Sequence, residues 1–491
     1  MARAIRAAIR LIGCVVALLI PALLGAPVAA AQDAETLRRA VTELRAQYRI
    51  PGLLVVVVHD GDVQLVEAQG LTADTPIALG STSKQFTGLI VQQLVAQQRL
   101  ALDATVGSLL PYAADSRFAE VTVAQLLAHH SGMGSRAGAE WQLWPSGSTI
   151  RAEAERLLAL APMRPAGQEY EYSNANYTLL GAIIEQVTGG SYAAALDALV
   201  AQPLGLQRTT ADRQQARTVG AAEGHYPWLG GIVATTPQPE WPLAAPSALI
   251  TSTGSDLARV LLAQLGAPSD ISPAVLAASR QPLAAEDEWT QYASGWEVHR
   301  FWQLTDANAG WQDPTLPTLF EHQGSTLRTF SYLGFSPERD LGVAILGDTS
   351  FGIDQAAQWY LTDRIVHAVV GTDPVPVEVD PLIVAGPMIM VLLPLAQAAA
   401  LLWVLVGGRR PGSVWLRRLL TGLAIAVTAT TALLVFWVVP GRSDQPVFDS
   451  SFLAAVPDLA ISLWLSLALA AATIIALVTS LLNRTKHREG T

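Results

Sequence analysis

The sequence predicts a two-part chain: a soluble ectodomain over residues 32–371, then three transmembrane helices. Three uncharged apolar runs, Leu382–Val406, Leu419–Val439 and Leu459–Leu482, carry the second part. Each is long enough to cross a hydrocarbon core of about 30 Å as a helix. The first two are separated by a stretch with Arg409, Arg410, Arg417 and Arg418. The next connection carries Asp444, Asp449 and Asp458 against Arg442, and the tail from 484 to 491 is basic again. Positive segments remain cytoplasmic, so the ectodomain is expected outside the cell.

The N-terminus agrees with that orientation. Arg3, Arg6 and Arg10 precede an apolar run and then the small residues Ala29, Ala30 and Ala31, the layout of a secretory signal peptide over residues 1–31. An uncleaved signal anchor is the competing reading. The single cysteine, Cys14, follows Leu-Ile-Gly in the manner of a lipidation site. The apolar run continues well past it, which places Cys14 in the signal core and leaves the mature chain without thiol chemistry. Residues 372–381, rich in proline and acid, read as a stiff linker to the membrane.

A net charge of −10 removes the basic face that nucleic acid binding needs. No H-E-x-x-H and no G-x-S-x-G occurs. His129-His130 invites a metal reading, but no acidic residue at ligand spacing completes a site, and a structural role is expected. No metal or organic cofactor is implied. Trp141, Trp144, Trp228, Trp241 and Trp296 could line a cleft or simply pack.

Lysine occurs only at 84 and 486 among 31 basic residues. Lys486 sits in the basic tail, where any cation would serve. Lys84 lies in GSTSKQFTGLI, three residues after Ser81, and Phe86, Leu89, Ile90 and Leu94 continue with helical spacing. At a helix start, residues three apart share a face, and the dipole there disfavours a positive charge. A desolvated lysine can lose its proton and act as a base, whereas arginine cannot. Asparagine is nearly as scarce, at 174, 176, 308 and 483 only. Tyr172-Ser173-Asn174 offers a phenol to relay a proton and an amide to orient substrate, or else a capping turn ahead of the helix that Leu179, Leu180, Ile183 and Ile184 predict.

These motifs resemble the serine β-lactamase and penicillin-binding-protein-like hydrolases, in particular the class C and esterase-like branch. Ser81-Thr82-Ser83-Lys84, Tyr172-Ser173-Asn174 and His322-Gln323-Gly324 stand in that family's order. RIPGLLVVVVHDG, VTVAQLLAHHSGM, YTLLGAIIEQVTG, STGSDLARVLL and ASGWEV add further landmarks, and the likeness covers about residues 34–370. It implies an α/β sandwich, an antiparallel sheet flanked by helices, with an added helical lobe. It implies Ser81 as nucleophile, Lys84 as its base or proton partner, Tyr172 completing that network, and Asn174 orienting substrate. The backbone N–H groups of Ser81 and Ser325 would form the oxyanion hole beside Gly324.

Two positions depart from the pattern. His322 replaces the more familiar lysine, so a substrate carboxylate would be held less strongly. Arg328 stands where the family often has glycine; on a regular strand it would share a face with Gly324 and narrow the cleft or contact an anion. The reaction expected is acyl transfer through an acyl-serine on an ester, an amide or a D-amino-acid peptide. A membrane receptor for wall peptides or β-lactams that acylates slowly is the alternative.

Overall fold

The computed structural model describes residues 34–68, 70–137, 148–229, 232–235, 242–305, 313–351, 355–374, 381–406, 414–439, 448 and 456–489. The expected signal peptide and the Asp444 and Asp449 connection lie outside these residues, as do Trp141, Trp144 and Trp241.

Eight strands form one antiparallel sheet: β1 Leu53–His59, β2 Asp62–Ala68, β3 Ala284–Ala285, β4 Gln291–Tyr292, β5 Glu297–Arg300, β6 Thr318–Ser325, β7 Phe330–Ser336 and β8 Leu341–Gly347. Their order is β2-β1-β8-β7-β6-β5-β4-β3. The sequence of β1, LLVVVVH, is apolar at successive positions because both faces of the sheet are covered. Leu54, Val56 and Val58 enter one core and Leu53, Val55 and Val57 the other. Each such fully buried side chain contributes about 1.5–3 kcal/mol relative to exposure.

The helices are α1 Ala34–Gln47, α2 Ser83–Ala96, α3 Ile150–Leu158, α4 Asn174–Thr188, α5 Gly254–Gln264, α6 Pro273–Arg280 and α7 Gln355–Val370. Leu37 and Val41 of α1 join Leu361 and Ile365 of α7 on one face of the sheet. On the other face α2 and α5 meet the sheet and extend it into a helical lobe built on α3 and α4. The Ile183 and Ile184 stripe of α4 is fully buried, and the helix stops at Gly189 in the left-handed conformation. Trp296 packs edge-on against Phe335 in the core, so it does not line a cleft.

Three further helices are long and apolar enough to cross a membrane: α8 Pro381–Val406, α9 Val414–Leu433 with a π-helical continuation to Val438, and α10 Pro457–Glu489. Leu393, Val435, Ala460 and Leu463 pack between them. Gln397 donates to Thr431 Oγ1 (2.7 Å), and Ser462 Oγ donates to the Met390 carbonyl (2.7 Å). Leu392, Leu402, Ile425 and Ile475 face outward. The helices overrun the apolar runs: α9 begins at Val414, before Arg417 and Arg418, and α10 continues beyond Leu482 to Glu489.

Candidate active site

Ser81 lies in a 3-10 turn, Gly80–Thr82, that leads directly into α2. Gly80 has φ +62°, and a Cβ there would stand 2.3 Å from the Ser325 nitrogen. A Cβ on Gly324 would stand 2.0 Å from the Leu79 carbonyl oxygen and 3.0 Å from the Ser81 nitrogen. The two glycines therefore let β6 press onto the turn, and the peptides of Ser81 and Ser325 come side by side. Thr82 and Ser331 share a hydrogen bond (2.8 Å), and Ser331 also donates to the Leu79 carbonyl, which ties the turn to β7.

Lys84 is completely buried in the first turn of α2. Its Nζ has three neighbours: Asn174 Oδ1 at 2.8 Å, the Ser247 carbonyl at 2.8 Å and Ser81 Oγ at 3.2 Å. No carboxylate reaches it among the described residues, and burial holds its pKa well below the ordinary lysine value. A neutral amine has two N–H donors and one lone pair. The two carbonyl oxygens can only accept, so they take both donors. As an ammonium, Nζ donates to all three oxygens; once it has lost a proton, its lone pair is left for the Ser81 hydroxyl proton.

The Ser247 carbonyl is invisible to motif reading, since any residue could supply it. It reaches Lys84 because the π-helical segment Ala245–Leu249 is clamped onto α2: Thr87 donates to the Pro246 carbonyl (2.7 Å), and the Ile250 N–H donates to Ser83 Oγ (3.1 Å).

Tyr172 and Asn174 flank Ser173, the residue that precedes α4. Ser173 donates its N–H to His129 Nδ1 (3.1 Å) and its hydroxyl to the carbonyls of Gly134 (2.9 Å) and Ala137 (3.1 Å). The His129 ring lies 4.4 Å from the Tyr172 ring, centroid to centroid. The expected structural role of His129 thus has a specific content: it seats the Tyr172–Asn174 segment. Tyr172 hydrogen-bonds with Ser81, and its ring lies 4.7 Å from Lys84 Nζ. Burial raises its pKa, so the group is a phenol.

His322 sits on β6 with its ring 6.0 Å from that of Tyr172. Its Nδ1 meets the Gln323 carbonyl (2.6 Å), a pure acceptor, so Nδ1 carries the proton and Nε2 accepts from the Tyr292 hydroxyl (3.0 Å). Burial, with Lys84 second, lowers its pKa to about 3. It is a neutral imidazole. The Gln323 carbonyl thus sets its tautomer, and Tyr292, which sequence reading passed over, fills the Nε2 side.

Arg328 does not share a strand face with Gly324. β6 ends at Ser325, and Thr326–Thr329 form the turn to β7, closed by the Thr326 N–H on the Thr329 carbonyl (2.9 Å). The guanidinium lies 5.3 Å from the Tyr226 ring centroid, against a separate two-stranded ribbon formed by 225–228 and 232–235. The turn redirects the side chain, so the strand-spacing argument fails.

Residues 37–367 match the family model described as Beta-lactamase. The chain belongs to the β-lactamase family. Penicillin-binding protein 4 of Amycolatopsis lactamdurans is 29% identical over 340 residues, which cover 63% of this chain and 85% of that protein. Protein flp of Staphylococcus aureus strain MW2 is 25% identical over 334 residues, and the match spans 65% of this chain but only 64% of that relative's length. Among solved structures, the octameric penicillin-binding protein homologue from Pyrococcus abyssi aligns with TM-score 0.59 at 23% identity, over 75% of this chain and 82% of its own. A class C β-lactamase from Rhodobacter sphaeroides aligns with TM-score 0.56 at 24% identity, over 68% and 99%. These two show the fold of the ectodomain as the α/β sandwich; in this chain three apolar helices follow it.

Proposed function

We propose that this β-lactamase-family chain is a membrane-anchored serine hydrolase with its catalytic body on the extracytoplasmic side. The observation that carries the reading is Lys84: a buried amine, without a carboxylate partner among the described residues, that donates to two carbonyls and to Ser81 Oγ and, once deprotonated, has its lone pair free for the Ser81 proton. Ser81 Oγ attacks the substrate carbonyl carbon, and its proton passes to Lys84. The N–H groups of Ser81 and Ser325 stabilise the oxyanion. Tyr172, a phenol at this pH, protonates the leaving alcohol or amine and is reprotonated from Lys84. Water then repeats the sequence on the acyl-serine and frees the acid.

The substrate is an ester, an amide or a D-amino-acid peptide, with Asn174 and Gly324 placing it. The solved D-alanine carboxypeptidase from Burkholderia cenocepacia shares this fold at TM-score 0.55, and the penicillin-binding relative suits the same acyl-serine chemistry. Neutral His322, and Arg328 turned toward Tyr226, favour neutral acyl groups over β-lactam carboxylates.

The test uses the purified full chain with a fluorophosphonate probe and a fluorescent penicillin, mapped by mass spectrometry. Labelling at Ser81 that is absent in Ser81→Ala, with release of the penicilloyl group on the timescale of turnover, supports the hydrolase. A penicilloyl group that persists points instead to the receptor reading, and no label on Ser81 from either probe refutes both.

A further inference from the structure

Asp458 joins the two parts of the chain. It stands in the first turn of α10, is buried, and accepts from the Tyr226 hydroxyl (2.7 Å) and the Leu229 N–H (2.6 Å). The His225 N–H, in the same ribbon, donates to the Arg328 carbonyl (3.0 Å). Arg328 follows Ser325 by three residues, and the Ser325 peptide abuts the turn that carries Ser81. A continuous run of contacts therefore leads from the nucleophile turn to the head of the apolar helices.

At that head, α8 and α10 border an apolar groove of about 650 Å³ that is open on its outer side, where Leu395, Ile461 and Leu465 are exposed. Trp228 and Leu229 form its upper rim, Met390 and Pro394 one wall, and Ile461 and Leu465 the other. Apart from Asp458 at the rim, Ser462 is its one polar residue, and the Ser462 hydroxyl is already given to the Met390 carbonyl. Nothing below the rim offers a polar ligand a partner. The walls extend along α10 from Asp458 to Leu469, about 16 Å at about 1.5 Å per residue. Half of a hydrocarbon core is about 15 Å. The groove is thus one leaflet deep, apolar along that depth, and ends under the ribbon that contacts the catalytic sheet.

Resting on the hydrolase reading above, we propose that this groove holds the hydrocarbon tail of an amphiphilic substrate. The substrate is drawn from the leaflet on the ectodomain side, and its ester or amide, near the polar head, is presented to Ser81. The occupant is the substrate's own tail, not a bystander lipid. The three helices are then part of the substrate site as well as an anchor.

The experiment uses the full chain in phosphatidylcholine vesicles and two fluorophosphonates, one with an ethyl and one with a dodecyl chain. Each forms an Oγ–phosphorus bond at Ser81 as fluoride leaves, and the readout is the ratio of the two labelling rates. Partition into the bilayer favours the dodecyl probe in every variant, so the change in ratio is decisive. Leu465→Trp and, separately, Ala398→Trp fill the groove. The expected result is a dodecyl preference of at least about tenfold in the wild type that falls at least about fivefold in either variant. A variant that misfolds loses both rates together and leaves the ratio readable from the other. A wild-type ratio near one, or an undiminished ratio in both filled variants, overturns the proposal and leaves a bystander lipid as the occupant. Failure of both probes to label wild-type Ser81 sinks the hydrolase reading itself.

Discussion

Gly80 and Gly324 meet so closely that a Cβ on Gly80 would lie 2.7 Å from the carbonyl carbon of Gly324. This contact brings the Ser325 N–H against the turn that carries Ser81. Gly324→Ala is expected to push β6 away from the turn. Overpacking of this kind costs about 1–3 kcal/mol, and loss of one oxyanion donor costs about 10²–10³ in kcat. Denaturant melts alongside ester kinetics would read both, and near wild-type kcat would contradict the arrangement.

Lys84→Arg is expected to reduce kcat/KM by about 10²–10⁴, the usual worth of a general base. In the wild type, the acidic limb of the pH profile should follow deprotonation of Lys84, with activity lost as pH falls through its lowered pKa. A profile for Lys84→Arg that keeps the same acidic limb would assign that limb to another group.

Two histidines should bend stability with pH in opposite senses. His322 titrates at about 3 in the folded chain against about 6.5 unfolded. Between those values the unfolded state binds the extra proton, so stability falls as pH drops from 6.5 toward 3. His299 is the reverse. Burial works against its charge, but its contact with Glu321 at 2.8 Å outweighs that and raises it to about 9. Its contribution is full below about 6.5 and is lost as pH rises through 9. Urea midpoints across pH for His322→Asn and His299→Gln should each remove one of these slopes.

His129→Ala is expected to loosen the Tyr172–Asn174 segment, with kcat down about 10- to 100-fold through misplacement and a stability loss of about 1–3 kcal/mol for the stranded Ser173 N–H. His129→Asn, which can still accept that N–H, should recover part of the kcat. Equal kcat in the two variants would reduce His129 to packing.

Arg328→Gly should leave hydrolysis of small neutral esters within about threefold of wild type and lower stability by about 0.5–2 kcal/mol, the worth of its cation–π contact with Tyr226. A large change in KM for anionic esters would instead return Arg328 to the substrate cleft.

The sequence by itself determined the family, the three motifs and the apolar helices. Each of these depends on residue type at short range: a lysine three residues after a serine, glycine where a backbone must approach, unbroken apolar runs long enough to cross a bilayer. Contacts between distant segments were beyond it. The Ser247 carbonyl reaches Lys84 from 163 positions away through a backbone atom that every residue possesses. The Tyr292 hydroxyl meets His322 Nε2 across the sheet, and a turn at Thr326–Thr329 sends Arg328 toward Tyr226. Asp458, read from sequence as one charge in a connecting segment, opens α10 and binds the Tyr226 hydroxyl. Local chemistry is written in the order of residues; which carbonyl, hydroxyl or carboxylate completes it depends on how the packed elements bring remote backbone together.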